Sequence, residues 1–142
     1  MADNHHIRAV IWDMGGVILR TVNPTPRTQL AQRLGVTRAE LEQIVFESES
    51  AHQALRGQHT EEQHWQNMAR HFNLPQEEMV AFQRDFWGGD REDRELVQYI
   101  QSLRSLYRVG LLSNAWSGVK ALARSMSYTF LDAFDEVVFS AE

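Results

Sequence analysis

At 142 residues the chain has the length of about one domain, and a composition that is 43% hydrophobic with four Trp and seven Phe can fill a sizeable core. A net charge of −5 without any Lys/Arg block argues against a nucleic-acid-binding surface, and the absence of cysteine excludes disulfides and thiolate metal sites. No apolar run approaches membrane-spanning length, and Met1 to His6 is polar, so His5-His6 reads as a solvated end and the expectation is a cytoplasmic protein without membrane contact.

The first element is Ala9-Val10-Ile11-Trp12, an apolar run rich in β-branched residues. It ends at a lone carboxylate, Asp13, followed by Met14-Gly15-Gly16. The pattern predicts a buried strand that delivers Asp13 to its C-terminal end, where the backbone turns sharply. Two roles fit that carboxylate. Asp-x-Gly-Gly suits a tight turn, in which Asp serves as turn former or cap. The carboxyl end of a strand is also where open α/β sheets bind ligands, which makes Asp13 a candidate nucleophile.

Beyond Leu19 the pattern becomes helical. Thr21 to Arg27 contains Pro24 and Pro26 and reads as an extended linker, and Thr28 to Leu34 as a short helix stopped by Gly35. Thr37 with Glu40 has the spacing of a capping box. Behind it Leu41, Ile44, Val45, Ser48, His52 and Leu55 fall on one face of a single predicted helix ended by Gly57. Thr60 with Gln63 repeats the capping logic ahead of Trp65, Met68, Ala69 and Phe72, and Pro75 opens a further helix carrying Met79, Phe82 and Phe86. Residues 21–89 thus form a helical insert whose aromatic stripes are its core.

From Asp90 the order becomes helix, strand, helix, strand. Leu96, Val97, Ile100, Leu103 and Leu106 mark a helix begun by Asp90, Glu92 and Asp93. Arg108 to Leu112 is a second strand running into Ser113-Asn114, Ser117 to Ser127 a helix, and Glu136 to Ser140 a third strand. This is the order of a parallel sheet with helical crossovers. The expected fold is therefore α/β: a partial Rossmann-like core of three strands from residues 1–20 and 90–142, with an all-helical insert.

Asp13-Met14-Gly15-Gly16-Val17 on a first strand and Ser113-Asn114 after a second resemble motifs one and two of the haloacid dehalogenase-like hydrolases, and the insert lies where that superfamily places its type-1 cap. Asp-x-Gly-Gly-Val, Leu111-Leu112-Ser113-Asn114 and Arg56-Gly57 before a capped helix are similar to the branch containing sugar-1-phosphate phosphatases. The resemblance implies covalent chemistry in which Asp13 attacks phosphorus and water then hydrolyses the aspartyl-phosphate. It implies Mg²⁺ on Asp13 and the Gly15 carbonyl, with Ser113, Asn114 and the Gly16 amide around the phosphoryl group of a small phosphorylated metabolite. Ser113 equally suits an N-cap of the following helix. His52 and Arg56, one turn apart, either face this site from the insert or belong to an ordinary polar helix face.

Two departures from the family pattern stand out. The family's second aspartate, two residues after the nucleophile, is replaced by Gly15, which implies either good leaving groups such as anomeric phosphates or an acid recruited from elsewhere. The family's lysine and distal aspartate motifs fall beyond Glu142; Lys120 sits on the helix leaving the site, and Asp132 and Asp135 precede the third strand. The expectation is a truncated, inactive chain whose first strand forms a sheet edge, Val10-Ile11-Trp12, open to pairing with another chain. A metal-free 2-haloacid dehalogenase and a non-catalytic binding or assembly module are the other readings of the same sequence. Among the weaker signals, His64 and His71 share a helical face but find no carboxylate to complete a ligand set, which favours solvated or capping roles.

Overall fold

The computed structural model describes residues 7–142, so the His5-His6 reading lies outside the described residues. Strand β1, Ala9–Trp12, is followed by a turn in which the Met14 carbonyl accepts from the amides of Val17, Ile18 and Leu19. Gly16 holds φ at +73°, a conformation open to glycine at little cost. Fully buried Ile18 anchors the turn. Strand β2, Leu19–Thr21, then leads into five helices: α1 (Thr25–Arg33), α2 (Arg38–Glu47), α3 (Glu49–Leu55), α4 (Glu61–His71) and, after a 3-10 turn at Gln76–Glu78, α5 (Met79–Trp87). The chain returns through β3, Asp90–Glu92, then α6 (Arg94–Leu103), β4 (Arg108–Ser113), α7 (Val119–Ser125) and β5 (Glu136–Phe139).

The fold class is α/β, with a parallel sheet in the order β1-β4-β5. Val10 pairs with Val109 and Trp12 with Leu111, while Leu111 pairs in turn with Val137. One sheet face carries Val109, Leu111 and Phe139, all buried with Val97 and Ile100 of α6, Ala123 of α7 and Phe130. On the other face Ile11 is 68% exposed, Leu112 56% and Val138 53%. Side chains alternate along a strand, so these three neighbours form one open apolar stripe.

The insert has its own apolar cluster, in which Leu41, Val45, Trp65, Met68, Phe82 and Phe86 are almost fully buried. Thr37 and Thr60 close capping boxes with Glu40 and Gln63, as their spacing predicts. The two ends of the insert are tied together by the antiparallel β2–β3 pair, in which Thr21 lies opposite Asp90. Buried Arg27 reinforces that tie: it donates to the Phe86 carbonyl (3.0 Å), Glu42 (2.9 Å) and both oxygens of Asp90 (3.1 Å).

Several expected boundaries move. Residues 25–27 belong to α1 rather than to an extended linker, because proline fits the first helical turn, where its missing N–H has no partner to lose. The single helix expected across residues 37–55 breaks at Ser48, which is extended (ψ 157°) and accepts from the Ala51 amide to cap α3. Pro75 opens a 3-10 turn rather than the helix itself. Asp93 alone caps α6, accepting from the Leu96 amide at 3.0 Å, because Asp90 and Glu92 lie in β3. Leu106 lies past the end of α6 and is exposed, and α7 begins at Val119 instead of Ser117. No helix among the described residues is long and apolar enough to cross a membrane.

Candidate active site

Asp13 follows β1 and Ser113 ends β4, so the parallel register brings both to the carboxyl end of the sheet. Asp13 Oδ1 accepts two hydrogen bonds, from the Met14 amide at 2.7 Å and from Ser113 Oγ at 2.9 Å. Asp13 Oδ2 takes part in none of the described hydrogen bonds, and Asp13 is exposed while Ser113 is buried. Ser113 does not cap α7, whose N-cap is Gly118. Its hydroxyl is instead directed to the carboxylate.

Two cavities lie beside this pair. The smaller, about 360 Å³, is lined by Asp13, Leu112, Ser113, Asn114, Val138 and Ser140. The larger, about 620 Å³, opens between core and insert; Met14, Gly15, Gly16 and Asn114 border it from the core side, and Phe46, Leu55 and Trp87 from the insert. Asn114 lines both. Ser140 secures the loop after β4, its hydroxyl accepting from the Ala115 amide at 3.2 Å.

His52 and Arg56 line neither cavity. His52 Nε2 lies 3.6 Å from Glu47 and Arg56 pairs with Glu49 at 3.2 Å, so both are held along the surface of the insert. His64 is not solvated but fully buried against Trp116 (ring centroids 4.4 Å), its Nδ1 3.0 Å from Ser50 Oγ, and burial pushes its pKa down to about 4. His71 is exposed. Phe46, Trp87 and Trp116, which wall the larger cavity, were not legible as site residues, because aromatic side chains at helical spacing or after a strand signal burial without saying what they face.

The oxygens at the turn that could hold a divalent cation are the Asp13 carboxylate and the Gly15 carbonyl, which accepts none of the described hydrogen bonds. Mg²⁺ characteristically takes one or two carboxylates and keeps several waters, so the pair fits as part of its shell. Among the described residues no set of three acidic or histidine side chains gathers. Lys120, the single lysine, is ion-paired with Glu142 at 2.7 Å. Asp135 accepts from the Val109 amide at the opposite, amino end of β4; that bond, ahead of Arg104, holds its carboxyl below the usual range.

No family model matches the sequence, and no curated protein matches it. Solved structures do. A predicted HAD-like family hydrolase from Porphyromonas gingivalis superposes with a TM-score of 0.69 at 25% identity, over 95% of this chain and 67% of that one. A HAD family enzyme from Bacteroides thetaiotaomicron, solved in complex with magnesium and inorganic phosphate, gives a TM-score of 0.72 at 15% identity, over 96% of this chain and 70% of its own. A further structure of the same enzyme gives 0.74 at 13% identity, over 95% of this chain and 69% of that one. The three-stranded parallel core, its insert and the 25% identity to one of these hydrolases place the chain in the haloacid dehalogenase-like superfamily.

Proposed function

We propose that the protein hydrolyses phosphomonoesters of small metabolites through an aspartyl-phosphate on Asp13. The observation that carries this reading is the Asp13–Ser113 pair at the carboxyl end of the sheet, in which donors hold Oδ1 and leave Oδ2 without a described bond. Oδ2 is then the atom that attacks phosphorus. Ser113 and Asn114 line the smaller cavity beside Asp13, and Gly16 and Asn114 the larger one, which supports their assignment to the phosphoryl group. The Bacteroides enzyme, which shares the fold, binds inorganic phosphate and magnesium.

Asp13 and the Gly15 carbonyl would hold Mg²⁺, which when bound neutralises the charge that develops on the phosphoryl oxygens. Gly15 brings no side chain to protonate the leaving group; a general acid contributes about 10²–10⁴-fold, so substrates with good leaving groups are favoured. By itself this chain is expected to turn over slowly or not at all. Its lysine is engaged with Glu142, and no second carboxylate joins Asp13 among the described residues.

A phosphoryl mimic tests the reading without requiring turnover. Beryllofluoride added with Mg²⁺ and followed by ¹⁹F NMR is expected to form an adduct with the wild-type chain and none with Asp13→Asn. Equal signals from both would overturn the assignment.

We also propose that the outer edge of β1, unpaired among the described strands, accepts a second copy of the chain.

A further inference from the structure

We propose that the larger cavity selects a flat, apolar leaving group, so that the substrate is an aryl phosphate rather than a sugar phosphate; this rests on the reading of Asp13 as phosphoryl acceptor. The first observation is an aromatic wall assembled from three separate parts of the chain. Phe46 of α2, Trp87 at the end of α5 and Trp116 in the loop after β4 pack with ring centroids 5.8, 5.9 and 6.2 Å apart, Phe46 and Trp116 nearly parallel at 29°. Leu122 and Met126 complete the apolar lining from the core. A ring entering this space stacks or meets edges without losing hydrogen bonds to water.

The second observation is that most polar side chains around the cavity already have partners inside the protein. Arg27 and Asp90 bond one another, Arg20 pairs with Asp93, and Glu61 accepts from Trp65 Nε1 at 3.0 Å, while Glu47 is exposed and lies 3.6 Å from His52 Nε2. Thr21 donates to Asp90 at 2.6 Å and the Tyr128 hydroxyl to the Asp90 carbonyl at 3.1 Å. Among the described residues the Asn114 amide and the buried, unpartnered Trp116 Nε1 remain uncommitted in the lining. A hexose carries a hydroxyl on almost every carbon, and each one buried without a partner costs about 1–3 kcal/mol. The cavity therefore offers a hexose few partners for its hydroxyls, whereas an arene needs none.

The chemistry agrees. Asp13 Oδ2 forms a bond to phosphorus as the P–O ester bond breaks, and both electrons of that bond leave on the ester oxygen. With Gly15 at the turn, that oxygen departs unprotonated and takes its proton from water afterwards. A phenol with a pKa near 10 tolerates this. An ordinary aliphatic alcohol, close to water at about 15.7, does not, and against an anomeric phosphate the selection comes from the cavity lining rather than from the leaving group. A second water then attacks phosphorus, releasing phosphate and restoring the carboxylate.

The test is calorimetric titration of this chain, with Mg²⁺, using 2-naphthyl phosphate, glucose 1-phosphate, 2-naphthol and inorganic phosphate. Naphthyl phosphate is expected to bind about tenfold more tightly than glucose 1-phosphate, with 2-naphthol competing for the same site. Met126 is 41% exposed, so Met126→Glu will fold; it should weaken both naphthyl ligands about tenfold and leave inorganic phosphate unchanged. Glucose 1-phosphate binding as tightly as naphthyl phosphate, or naphthyl affinities untouched by Met126→Glu, would overturn the selectivity. If 2-naphthol binds while the wild-type chain forms no beryllofluoride adduct, Asp13's role falls and the aryl phosphate with it, leaving an apolar-ligand site.

Discussion

Ser113 Oγ donates a 2.9 Å hydrogen bond to Asp13 Oδ1, joining residues one hundred positions apart. The bond fixes which carboxylate oxygen is occupied and which faces outward. A hydrogen bond to a charged group contributes about 1.5–3 kcal/mol. Ser113→Ala is therefore expected to weaken beryllofluoride binding at least about tenfold, and Ser113→Thr, which keeps the hydroxyl, to restore most of it. Identical titrations for the alanine variant and the wild type would show that the bond does not prepare the nucleophile.

His64 makes stability depend on pH. Burial lowers its pKa in the folded state from 6.5 to about 4, with nearby His59 acting in the same direction and an interaction with the Val45 backbone carbonyl opposing. The unfolded chain takes up this proton near pH 6.5 while the folded chain resists until about pH 4. The contribution is thus complete above pH 6.5 and is lost as pH falls toward 4, by about 3 kcal/mol in all. Urea denaturation across that range should show the slope, and His64→Gln should remove much of it.

Gly89 sits where the chain leaves the insert. A Cβ there would lie 1.7 Å from the Asn23 carbonyl oxygen, and the Gly89 carbonyl accepts from the amides of Val22 (3.0 Å) and Asn23 (3.2 Å). Neither backbone can yield without breaking this junction. Gly89→Ala is expected to destabilise the fold by about 2–3 kcal/mol, read as a lower urea midpoint. Gly118→Ala meets only the Glu61 side chain, which can swing aside, and should cost less.

The open edge of β1 predicts concentration-dependent association. Sedimentation velocity is expected to show a dimer growing with concentration for the wild type, and a monomer throughout for Ile11→Lys, since an edge lysine blocks strand pairing. Ile11 is 68% exposed, so the substitution leaves the core intact. A wild-type chain that stays monomeric at high concentration would refute pairing through this edge.

The sheet and its carboxyl-end residues were legible because their signals are local. Ala9 to Trp12 and Val109 to Leu112 are short apolar runs ending in small or polar residues, and both become strands with Asp13 and Ser113 at their ends. The β2–β3 pair was not legible. Leu19-Arg20-Thr21 and Asp90-Arg91-Glu92 are three residues each, mostly charged, and gain strand character only from a partner far along the chain. Arg27 escaped notice for the same reason, since its burial depends on Glu42, Phe86 and Asp90. Ser48 lay on an unbroken amphipathic pattern, and periodicity cannot register a helix that stops and restarts within one residue.

The insert leaves the core at Thr21 and rejoins it at Asp90, residues directly opposite one another in the β2–β3 pair. Its two ends are therefore about one strand spacing apart, roughly 4.8 Å, whatever lies between them. Seen from the sheet, the insert amounts to a hairpin loop. A shorter, longer or unrelated helical unit grafted at this junction would leave the register of β1, β4 and β5 unaltered. The fold thus separates two kinds of inheritance: Asp13 and Ser113 are kept by the sheet, while the helices of the insert can be replaced as a cassette.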